Sequence, residues 1–388
     1  MNRAGRTLTV PSGVASQVAV PRVTVPRIAV LVVALAAALF VVALTGMGCS
    51  GKSSEKTGKT SIRVLFAGSL IIPFGQLERE FEAAHPDIDV EMEGHGSIQV
   101  IRHVSDLHEQ ADVLVTADYT LIPMLLYKVK DPDSGLPYAS WYTIFATNEM
   151  TLAYTPESAF AAEVNADNWV DIVTRPGVRI GCADPRLDAN GYRALMMVKL
   201  AENFYHRPGL FAEVFGGKFR VPIRASQTGG VTVVKVPEVL EAKSGSSLVM
   251  RPYSVELLPL LESGDIDYTF EYTSVARQHG MKYLSLAPEV NLSDPAYAGT
   301  YDDVTVKLDF QRFASVKPEF HGEPIRYGAT IPSNAGNPKA AAIFLAYLLG
   351  PEGQRIMAQN YQPMITPALA DNLDAMPGPV KALCTPSD

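Results

Sequence analysis

The sequence predicts an α/β protein of two lobes with a ligand cleft between them, and three observations lead to this fold class. Strand and helix patterns alternate three times within residues 61–127, which is typical of a parallel sheet with helices on its faces. A second set of alternating elements lies within residues 168–272. Two extended runs, at 141–154 and 325–331, connect the two sets, so the chain crosses to a second lobe and returns.

The first lobe begins with the stretch S-I-R-V-L-F-A-G-S-L at residues 61–70, a β-branched and aromatic run that predicts a buried strand. The strand ends at Gly68-Ser69, and helical spacing follows up to residue 85. Such a junction lies beyond the carboxyl end of a strand, where open α/β sheets bind ligands and where a helix N-terminus favours an anion. Ser69 is therefore either a helix cap or a ligand contact.

The later elements follow from the same patterns. Apolar alternation or continuous apolar runs predict strands at 88–93, 111–118, 178–183, 247–250 and 267–272. Helical spacing predicts helices at 97–110, 119–127, 168–174, 191–204, 255–261 and 340–357. The segment 215–246 is rich in Gly and Val and gives no clear pattern. We therefore assign residues 1–60 to an export segment and tether, 61–149 and 327–388 to lobe I, and 150–326 to lobe II.

Composition limits the class of partner. A chain of 388 residues is long enough for two lobes with filled cores. Its net charge of −8 argues against nucleic acid, which needs a basic surface. A small anion remains a suitable ligand if the protein places hydrogen-bond donors around it at the binding site.

The N-terminal part is typical of an exported protein. Residues 1–54 contain five basic and no acidic residues, and residues 28–47 are almost entirely apolar. This pattern predicts an export segment with its positive charge on the cytoplasmic side. Cleavage before Cys49, in the lipobox-like L-T-G-M-G-C, would give a lipid-anchored protein, whereas retention would leave a membrane anchor. The closeness of Cys49 to the apolar run favours the lipoprotein, and either way the functional part is extracytoplasmic, periplasmic or at the cell surface.

The other cysteines and the histidines give weak signals. With Cys49 as the lipid site, nothing in the sequence decides whether Cys182 and Cys384 form a disulfide. Four histidines show no spacing typical of metal ligands, and we interpret them as surface or structural residues: His95, His103, His108 and His279.

Seven short motifs occur along the chain: V-L-F-A-G-S-L (64–70), G-H-G-S (94–97), A-D-V-L-V-T-A-D-Y-T-L-I-P (111–123), N-G-Y-R (190–193), R-P-Y-S-V-E-L-L (251–258), S-G-D-I-D-Y-T-F-E-Y-T-S-V-A-R-Q-H-G (263–280) and G-P-E-G-Q (350–354). Together they resemble one known family, the molybdate/tungstate-binding proteins of ABC importers, in their tungstate-type, archaeal-like branch. They occur in order and cover nearly the whole exported chain. The resemblance implies the type II periplasmic-binding-protein fold, in which two α/β lobes close over the ligand.

The resemblance also implies the residues of an oxyanion site. Its contacts would be Gly68, Ser69, Ser97, Asp188, Ala189, Asn190, Ser254 and Tyr272. Asp188 is in addition a candidate ligand to the molybdenum or tungsten atom of the bound oxyanion. Tungstate-type members can carry a Glu at the position of Ser254, which makes the metal six-coordinate. Here Glu271 or Glu256 is the candidate for the second carboxylate, so the coordination number and the preference between molybdate and tungstate stay open.

The chemistry of such a site agrees with these residue types. A dianion held without counter-cations needs many convergent N–H and O–H donors in a closed, water-poor cleft. A carboxylate repels a dianion unless it coordinates an electron-poor metal centre or is held away from the ligand. Sulfate and phosphate cannot accept further ligands, so a carboxylate in the site would reject them.

We therefore expect a monomeric binding protein without catalytic activity or cofactor, which captures molybdate or tungstate and delivers it to an ABC permease in the membrane. A receptor for sulfate, phosphate or an organic anion is one alternative, and a membrane-anchored sensor domain is another. An enzyme with Ser69 or Ser97 as nucleophile would need a serine elbow with a histidine partner, which the sequence lacks.

Overall fold

A computed structural model describes residues 58–309 and 318–387 of the chain. Its strands, numbered in chain order, are β1 Thr60–Ala67, β2 Ile88–His95, β3 Val113–Thr116, β4 Thr143–Thr147, β5 Met150–Tyr154, β6 Ile180–Ala183, β7 Arg224–Thr228, β8 Val231–Val236, β9 Leu248–Arg251, β10 Tyr268–Tyr272, β11 Lys282–Tyr283, β12 Val304–Leu308, β13 Glu319–His321, β14 Arg326–Thr330, β15 Met364–Ala370 and β16 Cys384–Pro386. Its α-helices are α1 Ile71–Ala84, α2 Ser97–Ser105, α3 Trp169–Ile172, α4 Ala189–Phe204, α5 Leu258–Glu262, α6 Thr273–Gln278, α7 Pro288–Asn291, α8 Ala298–Tyr301, α9 Pro338–Leu349, α10 Pro351–Gln359 and α11 Gly378–Lys381.

The first sheet has seven strands in the order β16-β15-β4-β14-β3-β1-β2. Strand β1 is parallel to β2 and β3, and β14 is antiparallel to β3 and β4. Ile62 and Val64 of β1 are fully buried, as their alternation predicts. The parallel pair β1 and β2 brings two carboxyl ends to the same edge of the sheet, and this edge faces the candidate site.

The second sheet has five strands in the order β11-β5-β10-β6-β9. Strands β10, β6 and β9 are parallel, and β5 runs antiparallel to β10. The extended run at 141–154 passes between the two sheets, because β4 belongs to the first sheet and β5 to the second. The α/β fold class with two lobes is thus the one expected from the sequence.

A third, four-stranded sheet has the order β13-β12-β8-β7, and the sequence did not indicate it. Its hairpin of β7 and β8 lies in the segment 215–246, where no structure was predicted. Gly229 and Gly230, both with positive φ, make the two-residue turn of this hairpin. A Gly-Gly pair before a run of valines is a recognised hairpin signal. The parallel partner of β8 is β12, which lies about seventy residues later in the chain and gives no local signal.

Three helix predictions need correction. The helix predicted at 340–357 is two helices, α9 and α10, because Pro351 has no N–H to continue the first one. The helix predicted to run to residue 110 ends at Ser105. The predicted helix at 119–127 contains only a short turn of π type, Ile122–Leu126.

The structure decides the question of the disulfide but does not test the export segment. Cys182 and Cys384 lie in different sheets, on β6 and β16, and both are free thiols. The export segment and Cys49 fall outside the described residues. Among the helices of residues 58–309 and 318–387, none combines the length and the apolar character that crossing a bilayer requires.

Candidate functional site

Six of the predicted contact residues form a buried cluster between the first and second sheets. Each is at most 6% exposed: Ser69, Ser97, Asp188, Ser254, Glu271 and Tyr272. The first two come from the lobe of the seven-stranded sheet and the other four from the lobe of the five-stranded sheet. The cluster joins hydroxyl groups to carboxylates, which is the composition that the sequence predicted for the cleft.

The two serines of the first lobe each follow a strand of the parallel pair. Ser69 lies in a short 3₁₀ turn between β1 and α1, and Ser97 is the first residue of α2 after β2. Neither side chain caps its helix. The Ser97 hydroxyl accepts a hydrogen bond from the backbone N–H of Ala117 at 2.9 Å. Since its oxygen is held as an acceptor, its own hydrogen is free to be donated.

Ser69 is held in a similar way by a residue that the sequence did not single out. Its Oγ lies 2.9 Å from the Oη of Tyr327, and that Oη accepts from the side-chain amide of Asn148 at 3.1 Å. With Tyr327 as the donor, Ser69 keeps its own hydrogen for a ligand. Tyr327 and Asn148 lie in the two extended runs that connect the lobes. The sequence predicted these runs but not the roles of the two side chains.

Asp188 is a carboxylate of the second lobe that faces the first lobe, where Gly96 and Ser97 lie against it. It is the residue immediately before α4, and the backbone N–H of Asn190 in the first turn of that helix stabilises its charge. Its carboxylate accepts from the backbone N–H of Ser254 at 3.1 Å, and the N–H of Ser97 in the other lobe also stabilises its charge. Burial is the largest effect and raises the pKa of Asp188 to about 6.

Glu271 is the second buried carboxylate of the cluster. Its Oε1 accepts from the Ser254 hydroxyl at 2.9 Å and from the N–H of Tyr272 at 2.7 Å. Its Oε2 has no hydrogen-bond partner among the described residues. Burial, together with the charge of Asp188, raises the pKa of Glu271 to about 8. At neutral pH the group is therefore mostly a neutral acid, and the proton fits on the unpartnered Oε2.

The other predicted contact residues lie around this cluster, except for Glu256. Ala189 and Asn190 are fully buried in the first turn of α4, and the Oδ1 of Asn190 lacks a partner among the described residues. Gly68 allows a close approach of the lobes, since a Cβ there would lie 2.8 Å from the ring of Tyr253. Glu256 is partly exposed and bonds the hydroxyl of Tyr253, whereas Glu271 bonds within the cluster.

Arg193 is a site residue that sequence reasoning missed. Its guanidinium is 3% exposed and donates to the Ala117 carbonyl at 2.6 Å and to the Tyr272 hydroxyl at 2.9 Å. Asp118 lies 3.5 Å away and neutralises its charge. Because Tyr272 accepts from Arg193, its own hydrogen remains available. The signal was the i, i+4 spacing from Ala189 to Arg193, which puts both residues on one face of α4.

The two lobes touch directly beside this cluster. The carbonyl of Leu187 in the second lobe accepts from the backbone N–H of Ile98 at 3.0 Å and of Gln99 at 3.3 Å. Both donors belong to the first turn of α2, whose free N–H groups suit an acceptor. The structure is thus a closed arrangement in which water has little access to the cluster.

Comparison with known proteins identifies the family of this chain. A family model for bacterial extracellular solute-binding proteins matches residues 62–361, which is more than half of the chain. The chain belongs to this family of extracellular solute-binding proteins. This solute-binding protein is similar to two proteins named molybdate/tungstate-binding protein WtpA. The one from Thermococcus kodakarensis is 36% identical over 344 residues, and the one from Pyrococcus abyssi is 37% identical over 343 residues. The matches cover 86% of this chain in both cases, and 91% and 93% of the relatives.

A solved structure supports the fold of this solute-binding protein. The periplasmic molybdate-binding protein of Azotobacter vinelandii is similar with a TM-score of 0.50 at 14% identity, and the match covers 78% of this chain and 98% of that one. At this identity the likeness concerns the fold alone. The family resemblance and the two-lobe fold predicted from the motifs are both confirmed, and the extracytoplasmic location agrees with the description of the family.

Proposed function

We propose that this solute-binding protein captures molybdate or tungstate outside the cytoplasm and delivers it to an ABC permease. The observation that carries the proposal is the buried set of hydroxyl groups at Ser69, Ser97 and Tyr272, of which Ser97 and Tyr272 accept hydrogen bonds from other groups and so keep a hydrogen to donate. Donors of this kind bind an anion strongly where water is excluded. The names of relatives at 36–37% identity support the same ligands.

We also propose that Glu271, and not Glu256, takes part in binding. A protonated Glu271 would donate from its unpartnered Oε2 to an oxygen of the dianion. Asp188 would then be the one charged carboxylate at the ligand, placed to approach the metal atom. The central atoms of sulfate and phosphate cannot coordinate a further carboxylate, so repulsion by Asp188 would disfavour these two anions.

Titration calorimetry tests the proposal. The full chain, kept in detergent because of its apolar N-terminal segment, is titrated with molybdate, tungstate, sulfate and phosphate. We expect binding of the first two at one ion per chain. Asp188→Asn should weaken it by roughly tenfold to a hundredfold, as expected for a lost charged contact in a buried site. Asp265→Asn, which changes an exposed Asp of the same lobe, should bind as the unchanged chain does.

Other results would contradict the proposal. Heat with sulfate or phosphate instead would favour a receptor for another anion, and heat with none of the four would favour an organic anion or a sensor domain. Unchanged or tighter binding in Asp188→Asn would remove Asp188 from the ligand contacts and leave it as a lobe-bridging residue.

The proposal extends to the organisation of the chain. We infer lobe I at 61–149 and 327–388, lobe II at 150–326, and a lipid anchor at Cys49 ahead of a short tether. The protein would act as a monomer, without catalysis and without a cofactor, and the molybdate or tungstate ion would be its transported ligand. Closure of the lobes would be a hinge motion stabilised by contacts of the ligand to both of them.

A further inference from the structure

Two histidines interpreted from the sequence as ordinary residues meet in the fold. His95 at the end of β2 and His103 in α2 have stacked rings, with centroids 4.6 Å apart and an interplanar angle of 24°. Glu93 of β2 joins them, since its Oε1 lies 2.7 Å from the Nε2 of His95. One ligand atom from each of the three side chains lies within 4.8 Å of the other two. The sequence spacing of eight between the histidines hides this group because it joins a strand to a helix.

Two further residues hold the group in place. Glu109 accepts from the Nδ1 of His103 at 3.0 Å, and this bond fixes the orientation of the ring. Arg63 donates to the Oε2 of Glu93 at 2.7 Å and leaves Oε1 of that carboxylate toward His95. In protein metal sites, a histidine ligand commonly donates its other ring N–H to a carboxylate, and a carboxylate ligand is commonly held by a hydrogen bond of its own.

The charge and the exposure of the group also suit a cation. Arg63 bonds both Glu93 and Glu109 at 2.7 Å, so one positive charge faces two negative ones. With neutral imidazoles, a net charge of about −1 remains for a bound ion to neutralise. The side chains of His95 and His103 are 23% and 21% exposed, so an ion can enter from solvent while most of each ring stays buried.

We propose that Glu93, His95 and His103 bind a divalent transition-metal ion of the Zn²⁺ class. Two imidazoles and one carboxylate form a donor set that Zn²⁺ accepts, with a water completing its coordination. The site lies within the first lobe, on β2 and α2, and does not depend on the oxyanion ligand. Because Gly96 and Ser97 follow His95 directly, the bound ion ties the strand end that leads into the cleft to the helix that follows it.

The test is metal titration of the full chain in detergent, purified without a polyhistidine tag and stripped with a chelator. We expect one Zn²⁺ per chain by calorimetry, and visible absorption bands on adding Co²⁺ in its place. His103→Ala and Glu93→Gln should each weaken Zn²⁺ binding at least tenfold. Glu109→Gln should weaken it by about tenfold to a hundredfold, since it orients a ligand. His206→Asn removes an exposed histidine elsewhere and should change nothing.

Tungstate titration of the same samples reports whether each variant is folded, since none of these residues belongs to the oxyanion cluster. Should His103→Ala fail to fold, Glu93→Gln decides the matter, because it keeps the shape of the side chain. The proposal is overturned if the unchanged chain binds no Zn²⁺. It is equally overturned if both ligand variants bind Zn²⁺ as tightly as the unchanged chain, which would put the ion elsewhere.

Discussion

Asp188 and Glu271 lie in one fully buried cluster, and the two carboxylates cannot both be charged there at low cost. Burial is the main cause of the raised pKa at each, about 6 for Asp188 and about 8 for Glu271. Ser254 stabilises both, through its backbone N–H on Asp188 and its hydroxyl on Glu271. The pair is thus arranged so that one carboxyl group is charged and the other neutral at pH 7.

This arrangement predicts how stability depends on pH. The pKa of Glu271 rises from an ordinary value of 4.5 to about 8 on folding, so between these values the folded chain keeps a proton that the unfolded chain has lost. The contribution of Glu271 to the free energy of unfolding therefore falls as pH rises from 4.5 to about 8. Glu271→Gln removes the ionisation and should be more stable at pH 8 by roughly 1–3 kcal/mol, since each pKa unit is worth about 1.4 kcal/mol and opening of the lobes relieves part of the cost.

Thermal unfolding of the ligand-free chain at several pH values measures this effect. The advantage of Glu271→Gln should grow from pH 5 to pH 8. Glu262→Gln, on the exposed surface of the same lobe, should follow the unchanged chain at every pH. An advantage that is absent, or equal at pH 5 and pH 8, would mean that Glu271 is already ionised in the folded protein.

At the scale of elements, the first turn of α2 meets the segment that leads into α4. Gly96 has an ordinary negative φ, so its role is not conformational freedom. A Cβ on Gly96 would lie 2.5 Å from the Leu187 carbonyl oxygen and 3.1 Å from the Cβ of Asp188. Only a residue without a side chain lets the two lobes approach to this distance.

Gly96→Ala should therefore hinder closure without disturbing either sheet. We expect tungstate affinity to fall at least tenfold in calorimetry, because the ligand needs contacts from both lobes at once. The unfolding temperature of the ligand-free chain should change little, since opening of the lobes relieves the clash. Gly299→Ala, where an added Cβ meets nothing within 4 Å, should bind normally. Full affinity in Gly96→Ala would mean that the bound state does not need this contact.

At the scale of the whole molecule, the described residues 58–309 and 318–387 belong to one compact unit. The apolar run at 28–47 and Cys49 precede this unit in the chain. A lipid on Cys49, followed by a short polar tether, would keep such a unit near its membrane permease. Closeness to the permease matters because the protein must release its captured ion there.

Labelling with radioactive fatty acid in a bacterial host tests the anchor. The unchanged chain should be labelled, and its mature N-terminus should be Cys49. Cys49→Ser should lose the label, whereas Cys384→Ser, which removes a thiol far along the chain, should keep it. A mature chain that still contains residues 28–47 would instead support a retained membrane anchor.

The elements around the site could be read from the sequence because their signals are local. The strand β1 and the helices α1 and α4 follow from periodicity within a few residues. The serine and aspartate positions follow from the ends of strands in the family motifs. The third sheet could not be read in this way, because β8 pairs with β12 far along the chain.

The sequence by itself determined the two-lobe α/β fold and the hydroxyl and carboxylate residues at the strand ends, since side-chain patterning and junction chemistry are properties of short segments. Only the tertiary structure decided that Glu271 bonds into the cluster of Asp188, that Arg193 and Tyr327 hold the hydroxyl donors, and that His95 meets His103. These contacts join residues that are distant in the chain or on different elements. Their partners are chosen by the packing of sheets and lobes, and no local pattern records that choice.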